Sequence, residues 1–124
     1  MLVADSGQRC VLVVEDDYLV RAVIVDEFQE SGFAVIEVDS AEKAIAILHD
    51  EQRIDLVFTD IRLNGPGSGH DVADAFRALH PGIPVIYTSG QAIDPRRRVP
   101  GSLTFDKPYR PEDVVAACYG LTLS

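Results

Sequence analysis

Short uninterrupted apolar runs alternate along this chain with longer stretches in which apolar residues recur every three or four positions. Val11-Leu12-Val13-Val14 is the first run, rich in β-branched side chains and ended by Glu15-Asp16-Asp17. Such a segment has no polar face to offer water, so it predicts a strand buried on both sides. Over residues 18–31, Leu19, Val23, Ile24 and Phe28 fall at mostly helical spacing, and Gly32 follows where a helix end favours glycine. Residues 34–38 predict a second strand. Ser40 then precedes a helix on which Ala41, Ala44, Ile45 and Leu48 stand at i, i+3, i+4 and i+7.

The alternation continues to the end of the chain. Residues 55–60 form a third strand candidate ending in Asp60, followed by a loop of turn formers from Asn64 to Gly69. Val72, Ala75, Phe76 and Leu79 repeat the helical spacing up to His80-Pro81-Gly82, and residues 84–88 supply a fourth strand closed by Ser89 and Gly90. The stretch 91–102 holds Pro95, Pro100 and Gly101, so a helix there must be short or irregular. Leu103-Thr104-Phe105 is a brief fifth strand, and Pro111 opens a last helix with Val114, Ala117, Cys118 and Leu121 inward. Strands alternating with helical crossovers predict an α/β fold, a doubly wound parallel sheet with helices on both faces.

Length and charge narrow the picture. With 124 residues, 47% of them hydrophobic, the chain suffices for one core. We expect an N-terminal tail over 1–8 and a single domain over 9–124, with no output domain. A formal net charge of -9 argues against direct nucleic-acid binding, which depends on clustered Lys and Arg. No run reaches membrane-spanning length and no secretory signal opens the chain, so a cytoplasmic protein without membrane contact is expected. Cys10 and Cys118 lack disulfide or zinc spacing and read as small apolar fillers.

In an open parallel sheet, ligands bind beyond the carboxyl ends of the strands. Glu15, Asp16 and Asp17 follow the first strand, Asp60 ends the third, Ser89 the fourth, and Asp106 and Lys107 follow the fifth. Carboxylates gathered there need a cation or raised pKa values to coexist. Mg²⁺ suits the set, because it prefers oxygen ligands and commonly bridges carboxylates to phosphate. An aspartate oxygen can attack a phosphoryl group, with Lys107 supplying positive charge and the Ser89 hydroxyl a hydrogen bond.

Four pieces in order, Val13-Val14-Glu15-Asp16, residues 55–60, residues 84–90 and Lys107-Pro108-Tyr109, resemble the receiver domain of two-component response regulators. The resemblance spans about residues 9–121. It implies a flavodoxin-like five-stranded sheet in the order 2-1-3-4-5, and a phosphoryl group accepted at Asp60 from a histidine kinase or a histidine phosphotransfer protein. It further implies Mg²⁺ held by Glu15, Asp16, Asp60 and the backbone carbonyl of Arg62, with Ser89 as the switch hydroxyl and Lys107 as the phosphate-pairing lysine. The Lys107-Pro108 bond is usually cis in that family. The protein would be a stand-alone phosphoacceptor, catalysing only its own phosphorylation and slow dephosphorylation. It would be a monomer or a phosphorylation-dependent dimer and would signal by a conformational switch to a downstream protein.

Two departures from the family pattern stand out. Thr104 occupies the position, three before the lysine, that usually carries an aromatic residue, and Phe105 should face the opposite side of its strand. The interval from Ser89 to Lys107 is shorter than is common, which predicts a truncated fourth helix. A receiver that binds its partner whatever its phosphorylation state is the second reading. An aspartyl-phosphate hydrolase is disfavoured because Arg62 stands where a second Asp is usual, and a Rossmann site because no G-x-G-x-x-G follows the first strand. Asp17 reads as a helix starter, Arg96-Arg97-Arg98 as a solvated run, and His49, His70 and His80 as surface or turn residues.

Overall fold

A computed structural model describes residues 8–50 and 53–122 of the chain. All of the expected tail except Gln8 therefore lies outside the described residues. The elements run β1 (Cys10–Val14), α1 (Tyr18–Glu30), β2 (Ala34–Val38), α2 (Ala41–Ile47), β3 (Leu56–Asp60), α3 (Gly69–Leu79), β4 (Val85–Ser89), a 3-10 turn (Pro95–Arg97), β5 (Leu103–Asp106) and α4 (Pro111–Thr122). The strands form one parallel sheet in the order β2-β1-β3-β4-β5, the flavodoxin-like arrangement. Among the described residues no helix is long and apolar enough to cross a membrane.

The apolar runs are buried on both faces because helices cover both. Val11, Val13, Phe58 and Ile86 point to one side and pack with Ile24, Val25 and Phe28 of α1 and Val114, Val115 and Cys118 of α4. Leu12, Val14, Val57, Val85 and Tyr87 point to the other, against Ala41 and Ala44 of α2 and Val72, Ala73 and Phe76 of α3. Each fully buried Val, Leu or Phe contributes about 1.5–3 kcal/mol relative to exposure, so the interior strands anchor the domain. Every residue of β3 and β4 is buried, whereas the edge strand β2 has no buried residue.

Several local expectations change once partners are known. Leu19 and Val23 are 72% and 57% exposed, although they share helical spacing with the buried Ile24 and Phe28. The stripe of α1 that meets the sheet is Ile24, Val25 and Phe28, and Leu19 and Val23 fall on its flank. Leu79, in the last turn of α3, is also exposed. Helix α3 starts at Gly69, a residue expected in the preceding loop, because Ser68 and Asp71 form a capping box that satisfies its first N–H groups.

His70 is buried rather than on the surface, its ring centre 5.3 Å from that of Tyr87. The arginine run is solvated as expected at Arg96 and Arg97, and only Arg98 is half-buried. Arg96 pairs with Asp94, Arg97 with Asp74 at 3.8 Å, and Arg98 donates to the Ser102 carbonyl and hydroxyl.

The short fourth helix reduces to the single 3-10 turn. What holds this segment is the sheet itself: Tyr87 on β4 accepts the Val99 N–H at 3.1 Å through its hydroxyl, in a buried bond. Thr104 lies beside Tyr87 in register. Phe105 packs on the opposite face with the α1 and α4 core, as strand alternation required. Replacing Tyr87 by Phe is expected to keep the fold, cost about 1 kcal/mol, and speed exchange of the Val99 amide proton by about fivefold or more. Hydrogen exchange followed by NMR checks this, and an unchanged Val99 rate would show that the bond does not hold the segment.

Candidate functional site

Strand order reverses between β1 and β3, so the loops after these two strands diverge and leave a crevice at the carboxyl edge. Glu15 and Asp16 enter it directly after β1, and Asp60 is the last residue of β3. Glu15 is fully buried, Asp60 is 6% exposed and Asp16 is half-buried. One carboxylate oxygen from each lies within 4.8 Å of the others. An all-oxygen set of this kind suits a hard divalent cation.

Asp17 turns away from the cluster. Its side chain accepts the N–H groups of Leu19 and Val20 as the N-cap of α1, the helix-starting role expected for it. The Glu15 backbone carbonyl accepts from Arg21, and Asp16 Oδ2 accepts from the Asn64 N–H at 2.9 Å. That second bond fastens the loop after β3 to the loop after β1.

Lys107 reaches the cluster from the end of β5. Its Nζ donates to Asp60 Oδ2 at 2.8 Å and to Glu15 Oε1 at 2.9 Å. Its backbone N–H donates to the Ser89 carbonyl, and the peptide bond to Pro108 is cis. Burial works against the charge of Lys107, but hydrogen bonds to Asp60 and then Glu15 hold its proton well above the ordinary lysine range. For Glu15 the balance goes the other way. Burial raises its carboxyl above the ordinary range, and the Asp17 N–H and Lys107 only partly offset it, with Asp60 adding to the rise.

The structure thus brings together Glu15, Asp16, Asp60 and Lys107. Ser89 is buried at the end of β4, and its hydroxyl accepts the Gln91 N–H at 3.0 Å. Arg62 is exposed in the loop two residues beyond Asp60. Sequence reading assigned Gly69 only to a loop and missed its role here. Its N–H donates to the Ile61 carbonyl, and a Cβ at this position would stand 2.2 Å from the Asp60 carbonyl oxygen. The glycine is needed for close approach of α3 to the strand end that carries Asp60. The Ser68-x-x-Asp71 spacing was the signal that a helix, rather than more loop, begins there.

Two predictions follow from this geometry. Gly69→Ala is expected to destabilise the protein by about 3 kcal/mol, because the methyl meets backbone and must displace α3 or Asp60; urea unfolding measures it. The raised Glu15 carboxyl means that the folded state holds this proton more tightly than the unfolded chain does. Its contribution is therefore intact below the ordinary glutamate range and lost as pH rises through the raised value. In buffer containing a chelator, wild type is expected to lose stability relative to Glu15→Gln as pH rises from the ordinary glutamate range through the raised value. Parallel pH dependences of the two proteins would show that Glu15 does not titrate this way.

Comparison with known proteins agrees with this architecture. A family model described as the response regulator receiver domain matches residues 11–117. The response regulator protein FleR of Pseudomonas aeruginosa is 35% identical over 85 residues, which cover 68% of this chain and 18% of FleR. The chain therefore spans under a fifth of that relative. A solved response regulator receiver protein from Sinorhizobium medicae is similar with a TM-score of 0.91 at 30% identity, covering 96% of this chain and 98% of its own. The receiver domain of sensor histidine kinase PA1611 from Pseudomonas aeruginosa, solved with a magnesium ion coordinated in its active site cleft, shares the fold. Its TM-score is 0.79 at 21% identity, covering 95% of this chain and all of that one.

Proposed function

This chain belongs to the response regulator receiver domain family, and on that premise we propose that Asp60 accepts a phosphoryl group from a histidine kinase or histidine phosphotransfer protein in a magnesium-dependent reaction. Receiver domains are the signalling phosphoacceptors of two-component systems. The observation that carries the assignment to Asp60 is its pairing with Lys107 inside the acidic cluster. An Asp60 oxygen would form the new bond to phosphorus as the bond to the donor imidazole breaks and the imidazole leaves with a proton. Lys107, already held in its charged form, compensates the charge that accumulates on the phosphoryl oxygens.

Glu15, Asp16 and Asp60 would hold Mg²⁺, with the Arg62 backbone carbonyl completing the protein ligands. When bound, the ion supplies charge neutralisation between an anionic nucleophile and an anionic phosphoryl group. The magnesium ion in the cleft of the PA1611 receiver domain supports this reading by analogy of fold.

Ser89 is the switch hydroxyl in this proposal. Its oxygen accepts the Gln91 N–H and leaves its own O–H free to donate to a phosphoryl oxygen; movement of the hydroxyl toward that oxygen would stretch the bond to Gln91 and loosen the start of the 91–102 segment. A downstream protein reads that change.

The test is incubation with acetyl phosphate and Mg²⁺, followed by intact mass. Wild type is expected to gain one phosphoryl group, and neither Asp60→Asn nor wild type with excess chelator is expected to gain any. A wild type without the added mass, or an Asp60→Asn protein that gains it equally, would overturn the assignment.

A further inference from the structure

Glu15 and Asp16 hang from the two Cα atoms that a single planar peptide group joins, so the orientation of that peptide decides where both carboxylates point. Both polar backbone groups of Glu15 are held. Its N–H donates to the Val38 carbonyl at 3.1 Å, which carries the pairing of β1 with β2 one residue past the end of β1. Its carbonyl, the oxygen of the peptide that leads to Asp16, accepts from Arg21 Nη1 at 2.8 Å.

Arg21 makes this contact from a fixed position on α1. Its Nε donates to Glu37 Oε1 on β2 at 2.9 Å, and its guanidinium carbon lies 5.6 Å from the centre of the Tyr18 ring. The side chain is only 15% exposed. Glu37 adjoins Val38 in the chain, so the bonds close a ring: Arg21 to Glu37, Val38 to the Glu15 N–H, and the Glu15 carbonyl back to Arg21. A planar guanidinium, with donors in a rigid fork, suits such a double contact better than a lysine ammonium on its flexible stem.

Charge alone gives Arg21 no favourable part in this site. A positive group beside a place for a divalent cation opposes its binding. What Arg21 offers is orientation.

We propose that Arg21 is a positioning residue for the metal-binding acid pair: pinned to Glu37, it holds the Glu15–Asp16 peptide in the one orientation that presents both carboxylates to Mg²⁺. The proposal rests on the reading of Glu15, Asp16 and Asp60 as Mg²⁺ ligands. It gives the edge strand β2, which has no buried residue, a part in the site. Groups that orient metal ligands without touching the metal commonly change its affinity by about 10–100-fold.

Mg²⁺ alone, titrated calorimetrically at constant ionic strength, is the probe. Arg21→Gln is expected to bind it about tenfold more weakly than wild type, although the variant has one positive charge fewer. Arg21→Lys, which keeps the charge, is expected to bind severalfold more weakly. Glu37→Gln, whose amide oxygen still accepts from Arg21 Nε, is expected to stay within about twofold of wild type. Equal or tighter Mg²⁺ binding in folded Arg21→Gln would overturn the proposal, because a side chain that only braced the fold, or acted through its charge, gives that result. If Arg21→Gln does not fold, wild-type affinity in Arg21→Lys overturns it instead. A wild type that binds no Mg²⁺ removes the metal reading itself and this proposal with it, so the two failures are told apart.

Discussion

Carboxylates at the ends of neighbouring strands repel one another, and a fold that gathers Glu15, Asp16 and Asp60 this closely must compensate them. Lys107 does so from the far side of β4, sharing one ammonium between Glu15 and Asp60. The pair is asymmetric. Lys107 is held in its charged form, while Glu15 is so deeply buried that even this contact leaves its carboxyl raised. A site in that condition favours a second cation or a rearrangement of the first.

The same bridge ties together parts of the sheet that share no ladder. β1 and β5 are separated by β3 and β4, yet Glu15 and Lys107 meet across them. Asn64 on Asp16, and Gly69 against the Asp60 carbonyl, fasten the loop after β3 and the start of α3 to the same edge. Asp60 is thereby packed against, or bonded to, groups from the ends of β1 and β5 and the start of α3.

On the other face, the structure provides an anchor where a longer helix is absent. Tyr87 lies two residues before Ser89 on β4 and holds Val99 through its hydroxyl, with His70 packed on its ring. The ring that secures the 91–102 segment thus comes from β4, while the neighbouring β5 position carries the small Thr104. This joins the strand bearing Ser89 directly to the segment beyond it. Arg98 adds to the attachment by donating to Ser102, while Arg96 and Arg97 stay exposed.

The sequence by itself determined the five strands, the two-sided burial of β1 and the chemistry of the strand ends. Those signals are local: an apolar run must be covered on both faces, and an acid, hydroxyl or lysine placed just after it must lie at the sheet edge. Glu15, Asp16, Asp60 and Lys107 could be named for that reason, and the proline content of 91–102 already limited its helix. Only the tertiary structure decided which flank of α1 meets the core, why Gly69 is a glycine, that His70 is buried, and that Tyr87 holds Val99. It also decided that the buried Tyr109 hydroxyl has no hydrogen-bond partner among the described residues. Each of these depends on atoms far apart in the chain, whose meeting is set by strand order and helix packing, and periodicity along a single segment carries no record of them.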